Sequence, residues 1–176
     1  MHRRSSFEAK IRVAFTAAVL VVAGLTVATW KLANDATEAA GWVAHSQEVL
    51  RILARTSGDS LQIELNTQNY RISGDTARLT ERDAAIAARE QTLRRLHQLV
   101  SDNPQQLERW LGLRAVVDER LAIARKTEQL RKTEGFAAAT AFIASAPLQE
   151  TRERLHRLLR DMEDEEIGRA SCRERV

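Results

Sequence analysis

The sequence predicts an all-α protein: an N-terminal transmembrane helix running into an antiparallel up-down four-helix bundle. Three observations lead there. Only 7 Gly and 2 Pro fall in 176 residues, too few turn formers for a sandwich or barrel of short strands. One uncharged run, VAFTAAVLVVAGLTVATW, lies between Arg12 and Lys31. Beyond it, apolar residues recur at seven-residue intervals, the signature of packed helices.

The apolar run occupies residues 13–30. Its 18 residues just span a hydrocarbon core of about 30 Å at about 1.5 Å rise per residue. Trp30 and Lys31 close it as interfacial anchors. Residues 1–12 form a basic stub, with Arg3, Arg4, Lys10 and Arg12 against Glu8 alone. The positive-inside rule therefore expects the N-terminus in the cytoplasm and residues after Lys31 outside the inner membrane. The run is longer than a typical signal-peptide core, and Val27-Ala28-Thr29 makes a poor cleavage site. An uncleaved anchor is expected.

Charge location matters more than its total. The chain carries a formal +3 with pI near 9.5, but the basic stub alone accounts for +3. The last eleven residues add +1, which leaves −1 on everything between. A near-neutral body gives no case for a nucleic-acid partner.

Residues 31–165 are expected to form the extracytoplasmic bundle. Trp42, Val49, Thr56, Ile63 and Tyr70 define the stripe of a first helix over about 32–72. Ser73-Gly74 closes it, and Asp75 caps a second helix over 76–101 with stripe residues Leu79, Ile86, Leu93, Leu96 and Val100. Asn103-Pro104-Gln105-Gln106 is a strong restart: Asn103 as cap, Pro104 in the first turn, Gln106 reaching back. Leu107, Trp110, Val117, Leu121 and Ala124 mark the third helix, 104–133, which Gly135 ends. A fourth helix, 136–165, carries Leu148, Thr151, Leu155, Leu158 and Met162 and is interrupted or kinked at Pro147. Short loops make successive helices antiparallel. Residue 165 is thus expected back at the membrane surface, where a second crossing belongs.

Residues 166–176, EIGRASCRERV, differ in composition from the helix before them. The string resembles a translated sequencing adapter, so it is expected to be a non-native tail. Cys172, within it, is the chain's single cysteine. Without it there is no basis for disulfides, thiolate catalysis or a Cys-ligated metal.

Candidate chemistry is sparse. Glu153-Arg154-Leu155-His156 fits the Glu-x-x-His spacing of di-iron bundles, but no second copy exists, and Leu155 and Leu158 put His156 on the flank of the helix. His45 and His97 lie far apart with no nucleophile signature near them. Gly-rich phosphate loops are missing. Arg94, Arg95, Arg152, Arg154, Arg157 and Arg160 alternate with acids, which reads as a solvated face. No catalytic, cofactor-binding or metal-binding residue is assigned. One set stands apart: Thr56, Asp59, Ser60, Glu64, Thr67 and Asn69 run along or beside a stripe that should be apolar. They face water, form an internal hydrogen-bond network, or line a small-ligand pocket.

Several strings together resemble a known family. Trp42-Val43-Ala44-His45-Ser46-Gln47-Glu48-Val49-Leu50 is similar to the opening of the third type of CHASE domain. Glu64 with Tyr70-Arg71-Ile72-Ser73-Gly74-Asp75 resembles that family's Glu…Gly-Tyr-Leu-Leu-Thr-Gly-Asp stretch. Leu99-Val100-Ser101-Asp102-Asn103-Pro104-Gln105 resembles its turn into the third helix, and Met162-Glu163-Asp164-Glu165 its last helix. The resemblance spans about 40–165. Thr67-Gln68-Asn69 stands where the family commonly has Gln-Arg-Gly, so no role tied to that arginine or glycine carries over.

The resemblance implies the extracytoplasmic input portion of a bacterial transmembrane receptor, most simply a histidine kinase whose second span and output domain lie beyond this chain. Expected partners are the lipid bilayer, a second copy of the chain through bundle and membrane helix, and an unidentified small ligand or stress signal. The competing reading is a single-pass membrane scaffold built on the same helices. A bundle enzyme is disfavoured for want of paired ligands.

Overall fold

Good helix formers fill the chain almost without interruption, and the computed structural model, which describes residues 3–173, is helical nearly throughout. The elements are α1 (Arg3–Ser73), α2 (Ala77–Val100), α3 (Pro104–Thr133), α4 (Phe136–Ser145) and α5 (Leu148–Arg173). By its internal contacts the chain divides into Met1–Val43 and Ala44–Val176.

In the first unit, Phe15, Leu20, Val21, Val22, Leu25 and Trp30 are all exposed. Thr16, Thr26 and Thr29 donate their hydroxyls to carbonyls four residues back, at 2.9, 2.8 and 2.7 Å. That bond satisfies a polar side chain without water, as a bilayer requires. Among the described residues, α1 is the one helix long and apolar enough to cross a membrane.

The second unit is the bundle. Val49 and Leu53 of α1 meet Leu93, Leu96 and Val100 of α2, Leu113, Val116 and Val117 of α3, and Leu155, Leu159 and Met162 of α5 in one core. Truncating any of its fully buried leucines to Ala costs about 2–5 kcal/mol. Side-chain bonds give the directions. Arg82 near the start of α2 reaches Glu128 near the end of α3, while Trp110 near the start of α3 donates to the Leu93 carbonyl. Ser46 and Glu64 of α1 meet Glu166 and Arg152 of α5 in reverse order. These pairs run antiparallel.

The turns follow their chemistry. Gly74 sits at φ 76°, a left-handed conformation, and donates to Tyr70 O at 2.8 Å. Asp75 Oδ1 accepts from Ala77 N at 2.9 Å. Asn103 Oδ1 accepts from the amides of Gln105 and Gln106, ahead of Pro104. The Gln106 side chain does not reach back to complete a capping box; it turns into the core. Pro147 breaks the expected fourth helix fully, leaving α4 and α5 as separate pieces. With no stop signal before it, α5 runs on through residue 165 to Arg173.

Candidate functional site

Side chains of α1 dictate what lies at the middle of the bundle. Thr56, Ser60 and Thr67 occupy core positions and are buried. Each hydroxyl donates to its own helix, to Ile52 O, Thr56 O and Ile63 O at 2.9, 2.8 and 2.7 Å. They are therefore neither solvated nor a network between helices. Asn69 is exposed and Asp59 half-buried, with Asp59 Oδ2 sealed from water and lacking a hydrogen-bond partner.

Glu64 does join helices. Its Oε2 accepts from Arg120 Nη2 of α3 at 2.5 Å, and its Oε1 accepts from Arg152 Nη2 of α5. Arg120 is further held by the Leu148 carbonyl at 3.2 Å and Thr151 Oγ1 at 3.0 Å. Burial lowers the affinity of the Arg120 guanidinium for its proton, against the opposing pull of Glu64. Among the arginines read as solvated, Arg94 and Arg160 face water, whereas Arg152 closes one side of this triad.

Two arginines of α2 sit in the core itself. Arg82 is 4% exposed and Arg89 1%. The sequence reading passed over both, although counting back by sevens from Leu96 lands on Arg89 and then Arg82. Their fates differ. Burial disfavours the Arg82 charge, but bonds to Asp83 at 2.8 Å and Glu128 at 2.7 Å outweigh it and hold its pKa above the ordinary arginine value. For Arg89 burial dominates, and its pKa falls to about 10. Neither Nε nor Nη2 has a hydrogen-bond partner. The nearby acids Glu90 and Asp118 are both engaged by Arg114, at 2.5 and 3.0 Å.

Arg89 and Arg120 line a cavity of ≈ 40 Å³ together with Ser60, Glu64, Thr67 and Thr127 on its polar side and Ile63, Ile123, Ala124, Ile143 and Leu148 on its apolar side. A wider groove of ≈ 380 Å³ lies across the Glu64–Arg120–Arg152 triad, bordered by Leu61, Leu65, Leu155 and His156. His156 is exposed, on the flank of α5 as its spacing predicted.

A second polar cluster occupies the other end of the bundle. Gln106 Nε2 donates to Glu166 Oε1 at 3.0 Å and to Met162 O at 3.2 Å, and Ser46 Oγ donates to Glu166 Oε2 at 3.2 Å. Glu166 is 1% exposed. The first residue of the string set apart as a tail thus packs inside the bundle. His97 lies edge-on to Trp110, with centroids 4.5 Å apart.

The second unit is thus a helical bundle with charged side chains buried in its interior, and α1 carries a stretch long and apolar enough to cross a membrane. Residues 39–175 match the CHASE3 domain family, and the chain belongs to that family of sensory domains. Its fold is similar to the crystal structure of the Rhodopseudomonas palustris histidine kinase HK9 sensor domain. That likeness has a TM-score of 0.65 and 20% identity, over 69% of this chain and 95% of that one. No curated protein matches the chain.

Proposed function

We propose that this chain is the extracytoplasmic input portion of a bacterial transmembrane signalling receptor of the histidine-kinase kind. The observation that carries the reading is a sensory-family match beginning at residue 39, eight residues after the apolar run. Arg3, Arg4, Lys10 and Arg12 hold the N-terminus in the cytoplasm. Because α5 comes back beside the start of α3, where Arg109 donates to Glu165, a second span after α5 gives the bundle a path to a cytoplasmic output domain. Two copies pair through bundle and membrane helix, and a signal biases one of two packings by a few kcal/mol.

Protease added to intact spheroplasts tests the topology: segments after Lys31 should be degraded, and their full protection sinks the receptor reading. Reading the genomic locus past codon 165 tests the output. An apolar span followed by a signalling domain, with EIGRASCRERV gone, is expected. Recovery of EIGRASCRERV and a stop codon from adapter-free DNA leaves the membrane scaffold as the better account.

A further inference from the structure

We propose that the outward face of α1 in the bundle is the surface on which a second copy of this chain docks, α1 against α1, parallel and in register. The proposal deepens the receptor reading by assigning the face. It rests on that reading in one respect: two copies that enter one membrane by the same end run parallel.

The face is set apart by its lack of charge. Leu50, Ala54, Gly58, Leu61, Leu65 and Ile72 fall on one line of α1, at spacings of three, four or seven. Gln47 and Gln68 complete the line and are uncharged too. At about 3.6 residues per turn it lies opposite the line through Thr56, Ile63 and Tyr70, which are buried in the bundle. Leu61, Leu65 and Ile72 are 58%, 44% and 62% exposed. The chain is 29% charged, and α2, α3 and α5 each present charge outward, at Arg94, Asp118 and Arg160. An apolar stripe on a helix marks a packing face. This helix has two, and its own bundle covers one.

Length, shape and charge point to a second copy. From Leu50 to Ile72 the line runs about 33 Å at about 1.5 Å per residue. Its occupant is a straight apolar helix edge of that length, which α1 itself supplies. Gly58 has open space where a Cβ would stand, leaving a notch beside the projecting Leu61. A two-fold contact sets Leu61 of one copy among Gly58, Leu61 and Leu65 of the other. Arg51 and Arg55 edge the line on one side and Glu64 on the other, and a parallel two-fold pair brings these unlike edges together. On the Glu64 side the line adjoins the groove of ≈ 380 Å³ that Leu61 and Leu65 share with Leu155 and His156 of α5. The second α1 closes that groove, so the Glu64–Arg152 pair is fully covered only when two copies meet.

Disulfide cross-linking of the full chain in the membranes of the expressing cell tests the face, with Cys172→Ser removing the chain's own thiol. Ala54→Cys, Leu61→Cys, Leu65→Cys and Ile72→Cys, made singly, should each give a linked dimer on mild oxidation. Residues that face their own copies across a parallel helix pair come within the roughly 7 Å between Cα atoms that a disulfide spans. Arg55→Cys and Gln62→Cys, exposed but off the line, should give no dimer above the cysteine-free chain. Leu61→Glu combined with Leu65→Glu should abolish the Ala54→Cys dimer. The same pair should leave helix content by circular dichroism unchanged, since neither leucine belongs to the core. No dimer from the cysteines on the line overturns the proposal, as does equal yield from Arg55→Cys and Gln62→Cys or a dimer that survives both glutamates. A dimer from Leu61→Cys alone means an antiparallel crossing at that point and overturns it too. Oxidation reads contact between copies alone, so its failure leaves the protease result standing, and a failed protease test leaves the cross-linking pattern standing.

Discussion

Arg89 sets the terms at the scale of single residues. Its guanidinium is buried with Nε and Nη2 unpartnered, and a buried donor left unsatisfied costs about 1–3 kcal/mol. Arg89→Met should therefore raise the urea midpoint of the chain. The pH dependence has a definite sign. With the folded pKa depressed to about 10, the unfolded chain holds its proton more tightly, so the penalty is fully present below that pH. It fades as the folded arginine deprotonates. The stabilisation by Arg89→Met should be flat through neutral pH and shrink only above about 10; a gain that changes between mildly acidic and neutral pH contradicts this account. Trp110 gives the opposite case. Its indole packs against the core and donates to Leu93 O at 3.0 Å, so Trp110→Ala should cost about 3–5 kcal/mol.

The helices show how far sequence reasoning reaches. Caps and breakers are local chemistry, and Gly74, Asn103, Pro104, Gly135 and Pro147 all punctuate the chain where their backbone preferences require. Asn103→Ala removes the acceptor for two amides and should cost about 1 kcal/mol in chemical denaturation. Gly74→Ala should cost a similar amount, about 1–2 kcal/mol for a left-handed residue, and its Cβ would also meet Arg131 Nη2 at 3.1 Å. The stripes of α3 and α5 were legible because their core positions are mostly apolar, whereas that of α1 is interrupted by Ser46, Thr56, Ser60, Asn66 and Thr67. That of α2 was half legible, since arginines occupy two of its inward positions. Gln106 was misread for a related reason. A glutamine three residues past a cap reads as a capping partner, but here an acid 60 residues later outcompetes the local bond.

For the whole molecule, Glu64 is the clasp: one carboxylate binds α3 through Arg120 and α5 through Arg152. Glu64→Gln should destabilise the bundle by about 3–5 kcal/mol, because it leaves Arg120 buried without its counter-charge. Glu64→Leu combined with Arg120→Met should recover most of that loss; if the double variant is as unstable as the single one, the clasp is not electrostatic. The sequence made Glu64 conspicuous as a polar residue beside an apolar stripe. It could not show that Arg120 and Arg152 were its partners, since pairings 56 and 88 residues apart depend on how whole helices lie together.

The bond between Glu64 and Arg152 spans 88 positions, and that separation has a consequence during synthesis. Ribosomes add about 5–20 residues per second, so Glu64 waits roughly 4–18 s for its partner on the last helix. Through that interval Val49 and Leu53, later fully buried, lack the cover that α5 will give them. A nascent chain in this state is a natural client for chaperones.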